Sequence, residues 1–475
     1  MPSLDWPRPK RTQTSLPSIA TLNTTPLTDL ASASAGRLAQ ALAARQLSAL
    51  EACDAAIARI ESGDAAINAV VVRDFDRARE QARSADSALA RGERRPLLGV
   101  PMTVKESFNV AGLPTTWGFD FARPLPVNED ALAVTRMKAA GAVILGKSNC
   151  ALALADWQTE NPIYGRTVNP LDQARTPGGS SGGGAAALAA GFVPLELGTD
   201  LVGSIRIPAH CCGVFGHRPS QGLVPRRGHE FPGTTGAHDE GLVVIGPMAR
   251  HAADLELALD ALAGPEAHAA SAYRLALPKP RHARVADLRV LVVAEHPAAL
   301  LAAEVRAAVL GVADHLASAG ATVSHCSPLL PEPMATLRAF GSLVTAFVTR
   351  GQPGNVISAH EWLDLLDERA RTKAQCARLF EAFDIVLMPV FGTTAFAHFE
   401  PGGNKPCLLR IDGADTPYEA QGAWSVFAAF CGLPVTVAPV GRSAEGLPIG
   451  VQIVGPFLHD RTTLAVARWL ESHLK

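Results

Sequence analysis

The sequence predicts an α/β fold: a single large α/β/α domain in which helices cover a central mixed, mostly parallel twisted sheet. Three observations carry this. The chain has 475 residues, 48% of them hydrophobic, which is ample for a large core. Segments with helical periodicity alternate with short apolar runs of strand length, the pattern of a sheet layered with helices. No internal repeat is visible, so one continuous domain over residues 26–475 is expected, preceded by a flexible arm over 1–25 that is rich in Pro, Ser and Thr.

Taken in order, helical patterning begins near Thr28, and Ser48-Ala-Leu-Glu51 is a capping box that opens a helix running to about Glu61. A second helix covers about Arg73 to Ala90. Leu97 to Lys105 reads as a central strand that ends on a lysine. A helix at Asp130–Ala140 and a strand at Ala142–Leu145 follow. Ala185–Ala190 is strong helix former and Ser204-Ile-Arg-Ile is strand-like. Cys211 to Pro225 is punctuated by glycine, Leu242–Ile245 is a short strand and Ala252–Ala263 a helix. Residues 264–287 form a proline-containing connector. Strand Val285–Ala294, helix Ala302–Ala319 and strand Ala321–His325 come next, then helical stretches over about 333–350 and 358–382. Strand Ile385–Pro389, a strand pair at Leu433–Val440 and Ile449–Val454, and a closing helix over Asp460–Leu474 complete the chain.

A formal charge of −2 without basic runs argues against nucleic acid as a partner. The eight cysteines are scattered without a CxxC pair, and no secretory apolar stretch opens the chain, so they read as reduced thiols of a cytoplasmic protein. The Cys211-Cys212 pair reads as small core residues. The 14 histidines show no ligand spacing, so neither a metal nor another cofactor is expected. The longest uncharged run, Thr176 to Leu195, is broken by proline and glycine and is too polar at its start to cross a membrane.

The most informative stretch is 176–209. Eight glycines lie between Gly178 and Gly203, around Ser180, Ser181 and Ser204. Glycine serves where backbone must approach something closely or turn left-handed. So many of them around three hydroxyls suggest backbone amides shaped around a catalytic serine. Two other motif matches fail on context. Gly141-Ala-Val-Ile-Leu-Gly146-Lys147-Ser148 fits the P-loop string, but its variable residues are themselves a strand, with Lys147 following it. Gly178-Gly-Ser180-Ser-Gly182 and Gly179-Ser-Ser181-Gly-Gly183 fit a nucleophile elbow, which needs a hydrophobic strand directly before it. Here a polar, proline-containing loop precedes.

A serine needs something to take its proton, and no histidine lies near these serines in sequence. Only eight of the 43 basic residues are lysines, so one inside an apolar strand calls for explanation. Lys105 is either a strand end reaching water or a buried amine whose pKa burial lowers far enough to act as a base. The residues thus suggest a Ser–Lys hydrolase, without deciding which serine attacks.

The stretch closely resembles the amidase signature family, in Gly178–Gly183 and in Gly198-Thr-Asp-Leu-Val-Gly-Ser-Ile-Arg-Ile-Pro-Ala209. The similarity extends over Gly99-Val-Pro-Met-Thr-Val-Lys105-Glu, Gly146-Lys-Ser-Asn149, Thr159-Glu-Asn-Pro162, Cys212-Gly-Val-Phe-Gly-His-Arg-Pro-Ser220 and Gly446-Leu-Pro-Ile-Gly-Val-Gln452, and so over roughly residues 28–475. The resemblance implies an amidase that cleaves a small, largely apolar aryl or alkyl carboxamide, with carbamates or esters as variants. In it Ser204 is the nucleophile, Ser180 the bridging serine after a cis peptide at Gly179, and Lys105 the neutral base. The amides of Leu201, Val202, Gly203 and Ser204 form the oxyanion hole, while Ser181, Asp200 and Arg206 support the loops. Val202 departs from the family's usual glycine; either the backbone tolerates it or it narrows the acyl pocket, and the second is our expectation. A glutaminase-type component of a tRNA-dependent amidotransferase is a further alternative, disfavoured because Ile207 stands where that branch carries glutamine. The expected partner is a small amide, and a homodimer is left open. Trp157, Phe119, Phe121, Phe347, Trp362 and Trp424 are the aromatic candidates for a pocket lining, with core packing the commoner role for such side chains.

Overall fold

The computed structural model describes residues 29–234, 241–349, 354, 357–399 and 407–474; the expected N-terminal arm lies outside them. One sheet organises the chain. From edge to edge it runs Val70–Arg73, Val143–Ser148, Pro101–Lys105, Leu195–Asp200, Val244–Ala249, Phe215–Arg218, Val435–Arg442, Pro448–Val454, Ile385–Pro389, Arg289–Val292 and Thr322–Ser324.

The sheet is mixed, as expected, but it is not mostly parallel. Parallel ladders are confined to Pro101–Lys105 with its two neighbours and to Arg289–Val292 with its two. The remaining pairings are antiparallel. Parallel neighbours need a crossover, usually a helix, whereas antiparallel ones can return directly. Val435–Arg442 and Pro448–Val454 do so as a hairpin, and Val244–Ala249 returns antiparallel to Phe215–Arg218 with no helix between them among the described residues.

Helices cover both faces, which is why the central strands are buried at every position. The Ser48–Glu51 capping box forms as expected and starts helix Ala49–Gly63. Helix Gly182–Ala189 packs on the strands ending at Lys105 and Asp200. Two sequence expectations need correcting near the site. The strand that holds Lys147 extends from Val143 to Ser148, so Lys147 lies within it. Ser204-Ile-Arg-Ile is not a strand: helix Arg206–Cys212 begins there. Asp200 overrides the local β-propensity, because its carboxylate accepts the amides of Gly203 (3.0 Å) and Ile205 (3.1 Å) and turns the chain out of the sheet.

Candidate active site

The lysine strand and the strand ending at Asp200 run parallel side by side, so their carboxyl ends place Lys105 and the segment 201–205 at one edge of the sheet. Helix Gly182–Ala189 opens beside them and brings the preceding Ser180 and Ser181 to the same edge. The peptide between Gly179 and Ser180 is cis, as the resemblance implied. Lys105 Nζ lies 2.7 Å from Ser180 Oγ and 3.0 Å from Thr199 Oγ1. Ser181 N–H donates to the carbonyl of Ser204 (3.2 Å), which ties the two serine segments together. Lys105 and Ser180 are fully buried, while Ser204 keeps 7% of its surface exposed. Of the three, the serine carrying that residual exposure is the one a substrate can reach.

Burial pushes the Lys105 amine down to about 8 from an ordinary 10.5. Asp200 sits in the opposite regime. Burial alone would raise its pKa, but a two-pronged pairing with Arg206 (2.9 and 3.0 Å) and the nearby Arg218 hold it well below the usual carboxylate range. Arg206 also donates to the Ser425 carbonyl (3.0 Å) and Gln452 Oε1 (2.8 Å), so the nucleophile segment is anchored to distant parts of the chain. Gly203 takes φ +93° and a Cβ there would meet Ser425 Oγ, so this position needs glycine.

Two expected site residues behave differently from expectation or remain open. The Gly203 amide donates to Asp200 Oδ1, so it serves the clamp and is turned away from an oxyanion role. Val202 has no positive φ, so the backbone tolerates its branched side chain; its carbonyl accepts the indole N–H of Trp157 (2.8 Å). Of the aromatic candidates, Trp157 and Trp424 lie beside this segment, Trp424 buried and its carbonyl held by Gln452. Phe119 and Phe121 instead cluster with Phe231, Trp362 packs against an apolar cluster that includes Phe340, Phe380 and Phe430, and Phe347 is half-buried on helix Pro333–Val348. Cys150, Cys211 and Cys212 are buried, and burial pushes each thiol up, so none is poised as a competing nucleophile.

Sequence reasoning missed Thr199, Gln452 and Ser425. Thr199 was within reach, as the hydroxyl next to Asp200 on a strand paired with the lysine strand. Gln452 closes the Gly446–Gln452 stretch that carries part of the resemblance, though nothing there points to Arg206, and Ser425 carries no local signal.

The profile of the family described as Amidase matches residues 51–350 and 333–464. The chain belongs to the amidase signature family. This amidase is 32% identical to human fatty-acid amide hydrolase 2, over 96% of this chain and 92% of that protein. It is 33% identical to a glutamyl-tRNA(Gln) amidotransferase component from Roseiflexus castenholzii, over 93% and 95%. The solved structure of a 6-aminohexanoate cyclic dimer hydrolase with its substrate superposes with a TM-score of 0.79 at 26% identity, covering 94% of this chain and 98% of that one. The protein is an amide-hydrolysing enzyme acting on C–N bonds. No helix among the described residues is long and apolar enough to cross a membrane.

Proposed function

We propose that the amidase hydrolyses a small, largely apolar aryl or alkyl carboxamide through an acyl-enzyme on Ser204. The observation that carries this reading is the buried amine of Lys105 at 2.7 Å from Ser180 Oγ. A neutral amine with a hydroxyl in contact can take its proton, and burial is what makes the amine neutral within reach of working pH.

Lys105 takes the Ser180 proton as Ser180 takes that of Ser204. The Ser204 oxygen then attacks the amide carbonyl. The developing oxyanion faces the amides of Leu201, Val202 and Ser204, and one such donor is typically worth about 10²–10³ in rate. The relay returns a proton to the leaving nitrogen, the C–N bond breaks, and water attacks the ester while losing its proton along the same path. Asp200 and Arg206 keep the segment rigid, and Ser181 fastens it to the bridging serine. The apolar side chains of Leu201, Val202 and Trp157 beside the nucleophile favour an apolar acyl group, and the isopropyl of Val202 favours a small one.

A hydrolysis panel of primary amides, anilides, carbamates and esters tests this, with Lys105→Ala and Ser204→Ala as controls. Amides or anilides should lead, and both variants should lose turnover. Turnover of esters or carbamates alone would replace the substrate assignment, normal turnover in Lys105→Ala would overturn the relay, and activity only with co-purified partner chains would turn the reading to a component of an amidotransferase.

A further inference from the structure

Glu196 is fully buried in the strand that ends at Asp200, and the steps above do not use it. Glu196 stands opposite Thr103 in the ladder with the lysine strand, and Ser148 stands opposite Lys105 on that strand's other side. Residues two apart on a strand share a face, and neighbouring strands lie about 5 Å apart. Thr103, Lys105, Ser148 and Glu196 therefore point into one layer. The hydrogen bonds agree: Thr103 and Ser148 donate to different carboxyl oxygens of Glu196, Ser148 at 2.7 Å. Helix Gly182–Ala189 closes this layer with Gly184, where a Cβ would run into the Glu196 side chain. The fold thus makes room for a carboxyl group beside the lysine, gives it two hydroxyl donors, and leaves Lys105 as the cation acting on it.

We propose that Glu196 is a positioning residue for amide hydrolysis, holding a negative charge on the face of Lys105 that governs how readily the amine takes the proton of Ser180. The inference rests on the reading of Lys105 as the base. A buried amine without a counter-charge is free to accept a proton but holds it poorly. A carboxylate in the same layer stabilises the ammonium that forms during acylation. Burial brings Glu196 up to about 7 and Lys105 down to about 8, and the charge of each favours the ionised form of the other. The other groups facing the lysine are committed. Cys150 is kept a neutral thiol by burial, Asp200 is paired with Arg206 and Arg218, and His229 is held neutral by burial.

The test is the rate at which an alkyl fluorophosphonate labels Ser204, followed against pH in the wild type, Glu196→Gln, Thr103→Val and Lys105→Ala. In labelling, the Ser204 oxygen bonds to phosphorus, the P–F bond breaks, fluoride leaves, and the serine proton passes through Ser180 to Lys105. The rate therefore reports the base without a known substrate. Removing the negative charge lowers the proton affinity of Lys105, so Glu196→Gln should move the acid limb to lower pH by about one unit and slow labelling on the plateau. Thr103→Val, which removes one donor to the carboxylate, should move it the same way by less. A purely structural role would slow labelling at every pH with the limb in place. An unmoved limb in the folded variants overturns the proposal, and if Glu196→Gln does not unfold cooperatively, Thr103→Val alone decides. If Lys105→Ala is inert while the limb stays put, this inference fails alone. If Lys105→Ala labels like the wild type, the base and the inference fall together.

Discussion

Lys105 and Lys147 lie on adjacent strands, both fully buried, and burial pushes both amines down to about 8. What they face separates them. Lys105 meets two hydroxyls, Ser180 and Thr199. Lys147 donates to the carbonyl of Pro114 and to Thr115 Oγ1 (2.9 Å), at the start of a loop whose next two amides, of Thr116 and Trp117, bind the carboxylate of Glu106. The Pro114 carbonyl has no proton to give and the Thr115 hydroxyl donates its own to the carbonyl of Phe108 (3.1 Å), so Lys147 is a strut that ties this loop to the sheet. A depressed pKa makes a lysine eligible to be a base. The neighbour it touches decides whether it is one.

The sharpest way to break this contrast is to remove each amine in turn. Lys105→Ala, like Ser204→Ala, should lower kcat/KM for amides by about 10³-fold or more, since members of one relay fail together. Lys147→Met should cost less than about tenfold in kcat/KM. Its effect should appear in denaturant unfolding, where the stranded Pro114 carbonyl costs about 1–3 kcal/mol. Equal losses of activity in the two variants would erase the distinction.

The same logic applies to the carboxylates. Asp200 is saturated by Arg206 and by the amides it accepts, so its charge is structural, whereas Glu196 faces an amine. Asp200→Asn leaves Arg206 buried beside a neutral amide and should destabilise the protein by about 3–5 kcal/mol, read by denaturant unfolding. A loss below about 1 kcal/mol would mean that Ser425 and Gln452 hold the segment without it.

Much of this arrangement is legible in the chain, for uneven reasons. The glycine–serine stretch and Lys105 stand out locally, because glycines are costly unless used and a lysine in an apolar run needs a reason. Glu196 carries the same signal in Pro-Leu-Glu-Leu-Gly, but nothing adjacent marks it. The helix at Arg206 reads as strand because the carboxylate that turns the chain into it, Asp200, lies before the segment that propensity judges. The balance of parallel and antiparallel strands is hidden because pairing depends on partners up to hundreds of residues apart, as when Val435 meets Arg218.

Activity against pH sharpens the contrast further. The Lys105 pKa is depressed, so the neutral, competent amine gains population as pH rises through about 8, and at pH 7 roughly a tenth of molecules carry it. kcat/KM should therefore climb about tenfold from pH 7 towards its plateau. Because Lys147 titrates in the same range without touching a serine, Lys147→Met should leave that limb in place. A limb that moves in Lys147→Met would assign the titration to the wrong lysine.

The smallest expected effect lies on the acyl side of the nucleophile. The Val202 side chain borders Gly422, and its carbonyl is pinned by Trp157; on the proposed reading its isopropyl group narrows the acyl side of the site. Val202→Gly should raise kcat/KM for benzamide relative to acetamide by a few-fold, the scale set by a few methylenes in a pocket. The acid limb should not move, because Val202 contacts neither lysine. An unchanged ratio would mean that Val202 is tolerated by the backbone and does not shape the pocket, and selectivity would then rest with Trp157 and Leu201.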